Sequence, residues 1–338
     1  MKILHDVSLK NLNTFGIDSL AKIFAEVFSV DELVEVLSSS WPKNNRKLIL
    51  GGGSNILLTD NFDGLVIKIS IPGIKIIKED NEFVFINAGA GVVWNDLVSF
   101  CVEKNFGGIE NLSLIPGTVG AAPIQNIGAY GQELKEVFYS LTGIFIENLE
   151  ETILYNNDCK FGYRDSIFKN ELKRKFIVTS ITLKLNKHPL INLNYDAVKN
   201  EIEKLKLEKI TIRDVSKIVT DIRKKKLPNP NEIGNAGSFF KNAEVDEEKY
   251  ISLRKEFPDI VGHKISEDKF KLAAGWLIEK CGWKGKRFGN AAVHINQSLV
   301  LVNYGNAAGK EILQLADEIE NSVKKKFGIT LHKEVNIY

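Results

Sequence analysis

Two glycine-rich stretches have the composition that a phosphate or a flat ligand requires. Residues 51–55 read Gly51-Gly52-Gly53-Ser54-Asn55, directly after a short apolar run at 47–50. Three glycines clear side chains away so that backbone amides can approach an anion, and they accept left-handed dihedrals. Ser54 and Asn55 add short hydrogen-bonding groups. An ordinary tight turn needs fewer glycines, so phosphate contact is the expected role; the lysine and spacing of a P-loop are absent. Residues 115–132 (IPGTVGAAPIQNIGAYGQ) hold four glycines, three alanines and two prolines. Such a stretch cannot build a core and follows neither helical nor strand period. It offers instead a thin-walled path for a large flat ligand, and Gln125 and Asn126 can donate to and accept from a ring edge or a diphosphate. Long irregular loops in compact domains are uncommon unless functional. Residues 89–94 (GAGVVW) mimic a nicotinamide-dinucleotide fingerprint. Trp94 stands where a third glycine would permit close helix–strand contact, so no such site is expected there.

The polar candidates are more open. Arg164, in Tyr163-Arg164-Asp165-Ser166, carries a fork that suits a carboxylate or phosphate, although a surface pair with Asp165 explains it equally. The run Arg223-Lys224-Lys225-Lys226 either complements a helix C-terminus or holds a diphosphate. Ser238 lies in residues 234–242 (GNAGSFFKN), behind a small-residue turn and before an aromatic pair. The pattern is not that of an acyl-transfer serine, which leaves a capped turn or a proton-donating hydroxyl. Glu334, in His332-Lys333-Glu334-Val335, is an ordinary strand carboxylate unless a partner across the fold recruits it.

Apolar runs predict strands at 21–28, 47–50, 65–69, 83–88, 137–146, 151–155 and 176–185, with a final strand ending near Glu334. Helices are expected from Ser29 as cap through Leu37, over 94–105 with a stop at Gly107-Gly108, and over 196–205. Further helices are expected at 212–225, at 268–281 closed by Gly282, and at 310–327. Thr211 and Asp214 form a capping pair for the 212–225 helix, whose Val215, Ile218, Val219 and Ile222 share one face. Pro228 and Pro230 end it. The pattern is α+β in about three domains, breaking near residues 72 and 225.

Composition narrows the partners. The 338 residues carry 45 basic and 43 acidic side chains, a net charge of +2, so no polybasic surface for nucleic acid or anionic membrane is expected. The N-terminal residues lack the apolar core of a signal peptide, and no run approaches the roughly 18 apolar residues of a membrane span. Cys101, Cys159 and Cys281 are widely spaced and form no CxxC pair; they read as reduced cytoplasmic thiols. No metal site is expected. A small molecule is the expected partner.

Taken in order along nearly the whole chain, residues 13–16, 51–55, 115–131, 163–166, 234–242, 271–280, 289–294 and 333–335 resemble the UDP-N-acetylenolpyruvoylglucosamine reductase family. The 115–131 and 234–242 segments are the specific ones. The resemblance implies an α+β fold: a two-lobed FAD-binding domain of the vanillyl-alcohol-oxidase (PCMH) type and a C-terminal α+β substrate-binding domain. Lobe 1 would be residues 1–72, joined by a C-terminal strand at 331–338; lobe 2 would be 73–212, and the substrate domain 226–330. The implied activity is FAD-mediated, NADPH-dependent reduction of UDP-N-acetylglucosamine enolpyruvate to UDP-N-acetylmuramate for peptidoglycan synthesis, in the cytoplasm and as a monomer.

The resemblance also assigns roles. Arg164 and Glu334 would lie at the substrate carboxylate, Arg164 stabilising developing negative charge and Glu334 carrying or sharing a proton. Ser238 would give a proton to the adjacent carbon, with Lys226 or Lys241 favouring its alkoxide. Cofactor contacts would come from Phe15, Gly51, Gly52, Gly53, Ser54, Asn55, Ile115, Pro116, Gly117, Gly120, Ala121, Gln125, Asn126, Ile127 and Gly128. Substrate contacts would come from Tyr130, Tyr195, Lys226, Asn242 and Gln297. Tyr195 indicates the subgroup with a tyrosine-bearing loop over the diphosphate, but Asp196 stands where that pattern has glycine. Two other classes compete. Another oxidase or dehydrogenase of the same cofactor fold predicts a histidine or cysteine placed to bond flavin covalently, and residues 115–132 contain neither. A non-catalytic nucleotide-binding protein would not need Arg164, Ser238 and Glu334 together.

Overall fold

In the computed structural model, which describes residues 2–39, 46–206 and 208–338, the run Leu20–Val27 forms a strand parallel to Phe62–Ile69. Phe62–Ile69 is in turn parallel to Arg46–Leu50, and Ile3–Ser8 completes a four-stranded sheet. Parallel neighbours need a crossover, and helix Val30–Ser38 lies between Leu20–Val27 and Arg46–Leu50 in the chain. Its cap is the expected one: the Ser29 hydroxyl accepts from the Glu32 amide at 3.1 Å, an interaction that stabilises a helix by about 1 kcal/mol. Leu33 and Val36 bury one face of the helix against Ile23, Ala25, Leu65 and Ile67.

A second, antiparallel sheet runs in the order Glu151–Tyr155, Phe138–Phe145, Phe176–Asn186, Phe83–Gly89, Ile74–Glu79. Its Ile144 and Ile177 join the core of the first sheet. A larger cluster packs Val84, Ile86, Leu141, Ile181 and Leu183 against Trp94, Leu97 and Cys101 of helix Trp94–Glu103, together with Leu112 and Val119. Helices Asp196–Leu205 and Ile212–Lys226 form a separate pair through Val198, Ile202, Val215 and Val219. The Thr211–Asp214 capping pair is present, with the Asp214 carboxylate accepting from the Thr211 amide at 2.9 Å.

The C-terminal third contains a four-stranded sheet ordered Gly234–Ser238, Val300–Asn303, Ala291–Val293, Arg287–Phe288. A three-stranded sheet has Lys269–Leu272 between Ala243–Asp246 and Gly262–Lys264. Helix Gly309–Phe327 buries its predicted stripe of Ile312, Leu315, Ile319 and Val323.

Three expectations are corrected. Residues 268–281 are not one helix: Lys269–Leu272 is the central strand of the small sheet, and only Ala274–Lys280 is helical. Lys269, Phe270, Lys271 and Leu272 alternate at the strand period, and pairing on both edges outweighs the helical pattern that follows. The helix starting at Trp94 ends at Glu103, turned by left-handed Asn105 (φ 59°), whereas Gly107 exchanges both backbone hydrogen bonds with Asn186. Residues 115–132 are less irregular than their composition suggests. Val119–Gln125 is a 3-10 helix, and Gly128–Ala129 pairs with Gln132–Glu133 in a short hairpin.

The chain divides into two compact units. One comprises Met1–Val7, Ala21–Gly53 and Phe62–Lys225; the other comprises Ser8–Leu20, Ser54–Asn61 and Lys226–Tyr338. Both larger sheets of the first two-thirds belong to the first unit.

Candidate active site

In the first unit the glycine-rich stretches form one backbone wall. A Cβ on Gly52 would lie 2.9 Å from the Cα of Gly117, and one on Gly51 would strike the Thr118 hydroxyl. A Cβ on Gly120 would lie 2.6 Å from that of Ala90. The wall is stitched by backbone bonds: the Val119 amide to Val92 O at 2.8 Å, Gly120 to Ala90 O at 2.9 Å, and Trp94 to Gly117 O at 3.0 Å. Only residues without side chains allow this approach, and they leave a thin surface. Gly52, Pro116 and Ala121 are exposed on it, and Gly117, Gly120 and Gln125 are half-buried. The amides of Val119, Gly120 and Trp94 are taken up by those backbone bonds, and what the wall offers a flat ring is a bare backbone surface.

The same wall shows which predicted contacts are structural. Asn126 is fully buried in the left-handed region (φ 43°); its amide donates to Glu133 Oε2 and to Gly162 O, each at 3.0 Å, and its oxygen accepts from the Lys135 amide at 3.0 Å. A ring edge or diphosphate therefore does not meet the Asn126 side chain, which locks the loop instead. Ile127 is buried and Ile115 packs on the large core, so both anchor the wall from behind. Trp94, 1% exposed, donates from its indole to Leu112 O at 3.0 Å and faces the core.

Beside the wall lies a cationic corner. Arg164 (φ 52°) donates to Gly128 O at 2.6 Å, and Asp165 accepts from Asn170. Arg223, missed as an individual site residue, donates from Nε to Leu114 O at 3.2 Å. Burial pulls the Arg223 guanidinium below its ordinary pKa; Tyr130 opposes that, and the like charge of Arg164 adds to it. An anion brought here relieves the repulsion between two guanidiniums. The signal for Arg223 was present in the chain: at helical period it falls on the apolar face with Val219 and Ile222, away from Lys224 and Lys225. Burial likewise raises the Tyr130 phenol, against the pull of Arg223. Tyr130 and Tyr195 meet edge to face with centroids 5.2 Å apart. Leu114 (φ 59°), Tyr130 (φ 50°) and Arg164 are all left-handed without being glycine. Strain of this kind, of order 1–3 kcal/mol per residue, collects at functional sites. Asp196 opens helix Asp196–Leu205 and is exposed, so its charge complements the helix N-terminus.

In the second unit, Asn13 bridges Leu9 O and Ile17 O at 2.8 and 2.9 Å and so closes the 13–17 turn. Phe15 is 1% exposed, packed edge-on to Phe239 at 6.2 Å. Its ring is core, so the cofactor contact expected of Phe15 would fall to its backbone. Ser238 ends strand Gly234–Ser238 after an irregularity in its pairing with Val300–Asn303, where Gly237 has φ +67°. Such a bulge re-aims the side chain that follows it. Ser238 is half-buried, while Phe239 and Phe240 behind it are fully buried.

The predicted final strand is short, Asn336–Ile337, and lies parallel to Ile56–Leu57. Ahead of it, residues 332–334 run antiparallel to 239–241: Lys241 donates to His332 O at 2.9 Å and Glu334 to Phe239 O at 2.8 Å. Glu334 is thereby brought onto the strand beside Ser238. Asn55 donates from Nδ2 to Glu334 O at 3.3 Å, and its own carbonyl accepts from both nitrogens of Asn336 at 3.1 Å. Its side chain thus anchors the Glu334 segment, a role not visible in the glycine-rich motif. Ser54 beside it is half-buried. Lys333 reaches Glu320 at 2.7 Å and Asp317 at 2.9 Å. Asn242 accepts from the Ala274 amide at 3.1 Å, and Gln297 Oε1 lies 3.4 Å from where a Gly275 Cβ would be, so both converge on residues 274–275. Lys226 is exposed.

Comparison with known proteins follows the same division. Residues 21–144 match a family described as an FAD binding domain, and residues 229–338 match the UDP-N-acetylenolpyruvoylglucosamine reductase C-terminal domain. The UDP-N-acetylenolpyruvoylglucosamine reductase of Flavobacterium johnsoniae is 50% identical over 338 residues, covering 100% of both chains. That of Amoebophilus asiaticus is 47% identical over 337 residues, 100% of this chain and 99% of its own. Among solved structures, the Thermus caldophilus reductase superposes with a TM-score of 0.68 at 24% identity, over 100% of this chain and 99% of its own. The 6-hydroxy-D-nicotine oxidase of Arthrobacter nicotinovorans gives 0.53 at 12% identity, over 97% and 86%. These two likenesses speak to fold alone. Among the described residues no helix is long and apolar enough to cross a membrane.

Proposed function

This chain belongs to the UDP-N-acetylenolpyruvoylglucosamine reductase family, and from that we infer that it is an FAD-dependent UDP-N-acetylmuramate dehydrogenase of peptidoglycan precursor synthesis. The observation that carries the reading is 50% identity along all 338 residues. The substrates are NADPH and UDP-N-acetylglucosamine enolpyruvate. The fold is the α+β arrangement expected: a flavin-binding domain related to that of the oxidases, plus a C-terminal α+β domain. Residues 1–72 with 331–338, and residues 73–212, would be the lobes of the first, and 226–330 the substrate domain.

The glycine wall fits FAD, since Gly51, Gly52 and Gly120 pack tightly on residues 117–118 and Ala90 and keep the exposed surface at Gly52, Pro116 and Ala121 thin. Held there, FAD would supply the hydride chemistry that links NADPH to the terminal carbon of the enolpyruvyl group. The chain's own residues manage the charge and the proton. Arg164 stabilises the negative charge that develops on the substrate carboxylate. Ser238 gives its Oγ proton to the adjacent carbon, so the hydroxyl bond breaks as the new C–H bond forms, with Lys226 or Lys241 favouring the alkoxide left behind. Glu334 carries or shares a proton at the same carboxylate. Tyr130, Tyr195, Lys226, Asn242 and Gln297 hold the sugar nucleotide; the proximity of Tyr130 to Tyr195 supports the first two. The same reading has the enzyme act in the cytoplasm as a monomer. NADPH oxidation that depends on the enolpyruvyl sugar nucleotide and yields one UDP-N-acetylmuramate per NADPH is expected. Rapid oxidation with oxygen alone, indifferent to that substrate, would overturn the assignment in favour of an oxidase.

A further inference from the structure

Asn111 is 1% exposed, and nothing in its motif marks it as functional. Its carboxamide donates both protons to backbone carbonyls from distant parts of the chain: Tyr130 O at 2.9 Å and Asn192 O at 3.2 Å. Asn192 continues the net, donating to Gly131 O at 3.0 Å and to Gln132 Oε1 at 3.3 Å, while its own oxygen accepts from the Asn194 amide at 3.0 Å. Gly131 supplies the left-handed turn (φ +81°) that carries the chain past Asn192 and the Tyr195 nitrogen, where even a Cβ would meet ordinary van der Waals contact at 3.7–3.8 Å. The 130–132 turn and the 192–195 segment are thus fastened to one buried amide. The two side chains that emerge from them are the rings of Tyr130 and Tyr195, 5.2 Å apart.

We propose that Asn111 is a positioning residue for sugar-nucleotide recognition, holding Tyr130 in its left-handed conformation and fixing the Tyr195 segment against it. This rests on the assignment of both tyrosines as substrate contacts. The physical case is directional. A buried carboxamide bonded to two carbonyls cannot rotate without leaving both unpaired, and it has no freedom to follow one segment if the other moves. An unassisted Tyr130 would leave its left-handed backbone, because a bulky side chain disfavours that region.

The test uses the FAD-loaded enzyme with Asn111→Asp, which keeps the shape and removes both N–H donors. The KM for UDP-N-acetylglucosamine enolpyruvate, and the Kd of UDP-N-acetylmuramate by calorimetry, should rise about tenfold or more, as expected when one or two hydrogen bonds are lost. The KM for NADPH and the flavin content should move by less than about twofold, well inside the effect of a single hydrogen bond. A structural role alone would move all four together, and that result overturns the proposal. In a Tyr195→Ala background the Asn111→Asp effect should shrink to less than about threefold, because the two act through one contact; full additivity also overturns it. Should Asn111→Asp not fold, Asn192→Ala in the same net is expected to give the same split, and its failure to do so counts equally against the proposal. Wild-type turnover without the split overturns this inference alone; absence of wild-type turnover overturns the functional reading with it.

Discussion

The Asn55 side chain donates to the carbonyl of Glu334, 279 residues further along the chain, at 3.3 Å. The Glu334 amide is held by Phe239 O at 2.8 Å, so both backbone polar groups of the acid are fixed. Those two bonds fix the backbone from which its carboxyl projects. Replacing Asn55 with alanine removes one of them, a loss of about 1 kcal/mol and up to tenfold in rate. Stopped-flow measurement should find oxidation of the reduced flavin by substrate slowed by that factor, with reduction by NADPH changed less. Equal slowing of both halves would make Asn55 only a loop anchor.

Ser238→Ala should leave flavin reduction by NADPH intact and slow reoxidation by the enolpyruvyl substrate by about 10²–10⁴-fold, the range for a lost general acid. Single-turnover absorbance at the flavin band reads both halves in one enzyme. A variant impaired equally in each would refute the proton-donor role.

The glycine wall makes a prediction about loading. Gly52→Ala places a methyl 2.9 Å from Gly117 Cα, and Gly120→Ala places one 2.6 Å from Ala90 Cβ. Neither neighbour is the flexible end of a side chain, so backbone must move. Both variants should purify with less than about half the wild-type flavin, a shift of the kind that about 1–3 kcal/mol of overpacking produces. The ratio of flavin to protein absorbance measures it.

Arg164 sits in a backbone region that glycine occupies without penalty. Arg164→Gly should therefore abolish turnover while its stability stays within about 1 kcal/mol of wild type, because relief of backbone strain offsets the lost bond to Gly128 O. Urea denaturation of the two proteins decides it. A much larger loss would mean that the guanidinium holds the Gly128 loop together.

Lys333 supplies a pH signature. Burial alone would lower its ammonium pKa, but the hydrogen bonds to Glu320 and Asp317 outweigh it and hold the group above 10.5. A folded pKa above the unfolded one means that its contribution to stability is complete below about pH 10.4 and is lost as pH rises through the folded value. The denaturation midpoint of Lys333→Met should thus lie below wild type at pH 8, with the gap closing at strongly alkaline pH. A gap independent of pH would show packing rather than charge.

Most elements were legible where one local signal decides. Ser29 caps its helix, Thr211 pairs with Asp214, and the stripe of Gly309–Phe327 is buried, because caps and periodicity act within a few residues. Lys269–Leu272 was misread because two partner strands, Ala243–Asp246 and Gly262–Lys264, determine it from outside. The site divides in the same way. Gly51–Gly53 and Gly117–Gly120 announce a ligand wall by composition. Asn126 follows the second of these motifs yet turns inward, and the Phe15 ring of the 13–16 motif packs in its own core, since a motif does not say which way a side chain faces. Arg223 was hidden in a run of cations: its helical angle separates it from Lys224 and Lys225 but not from Lys226. Asn111 carried no signal, because both partners of its amide are backbone carbonyls distant in sequence.

The division of the chain between the two units sets an order of events during synthesis. Ile56–Leu57 emerges early, but its partner Asn336–Ile337 is made some 280 residues later, a delay on the order of tens of seconds at ribosomal rates. Until then that strand and the apolar ring of Phe15, whose neighbour Phe239 is also still to come, have no native place to go. The nascent protein therefore carries, for most of its birth, a short unpaired edge and an exposed aromatic in its first 60 residues. Synthesis of Phe239 covers the ring, and synthesis of Asn336–Ile337 pairs the edge and retires that liability to aggregation.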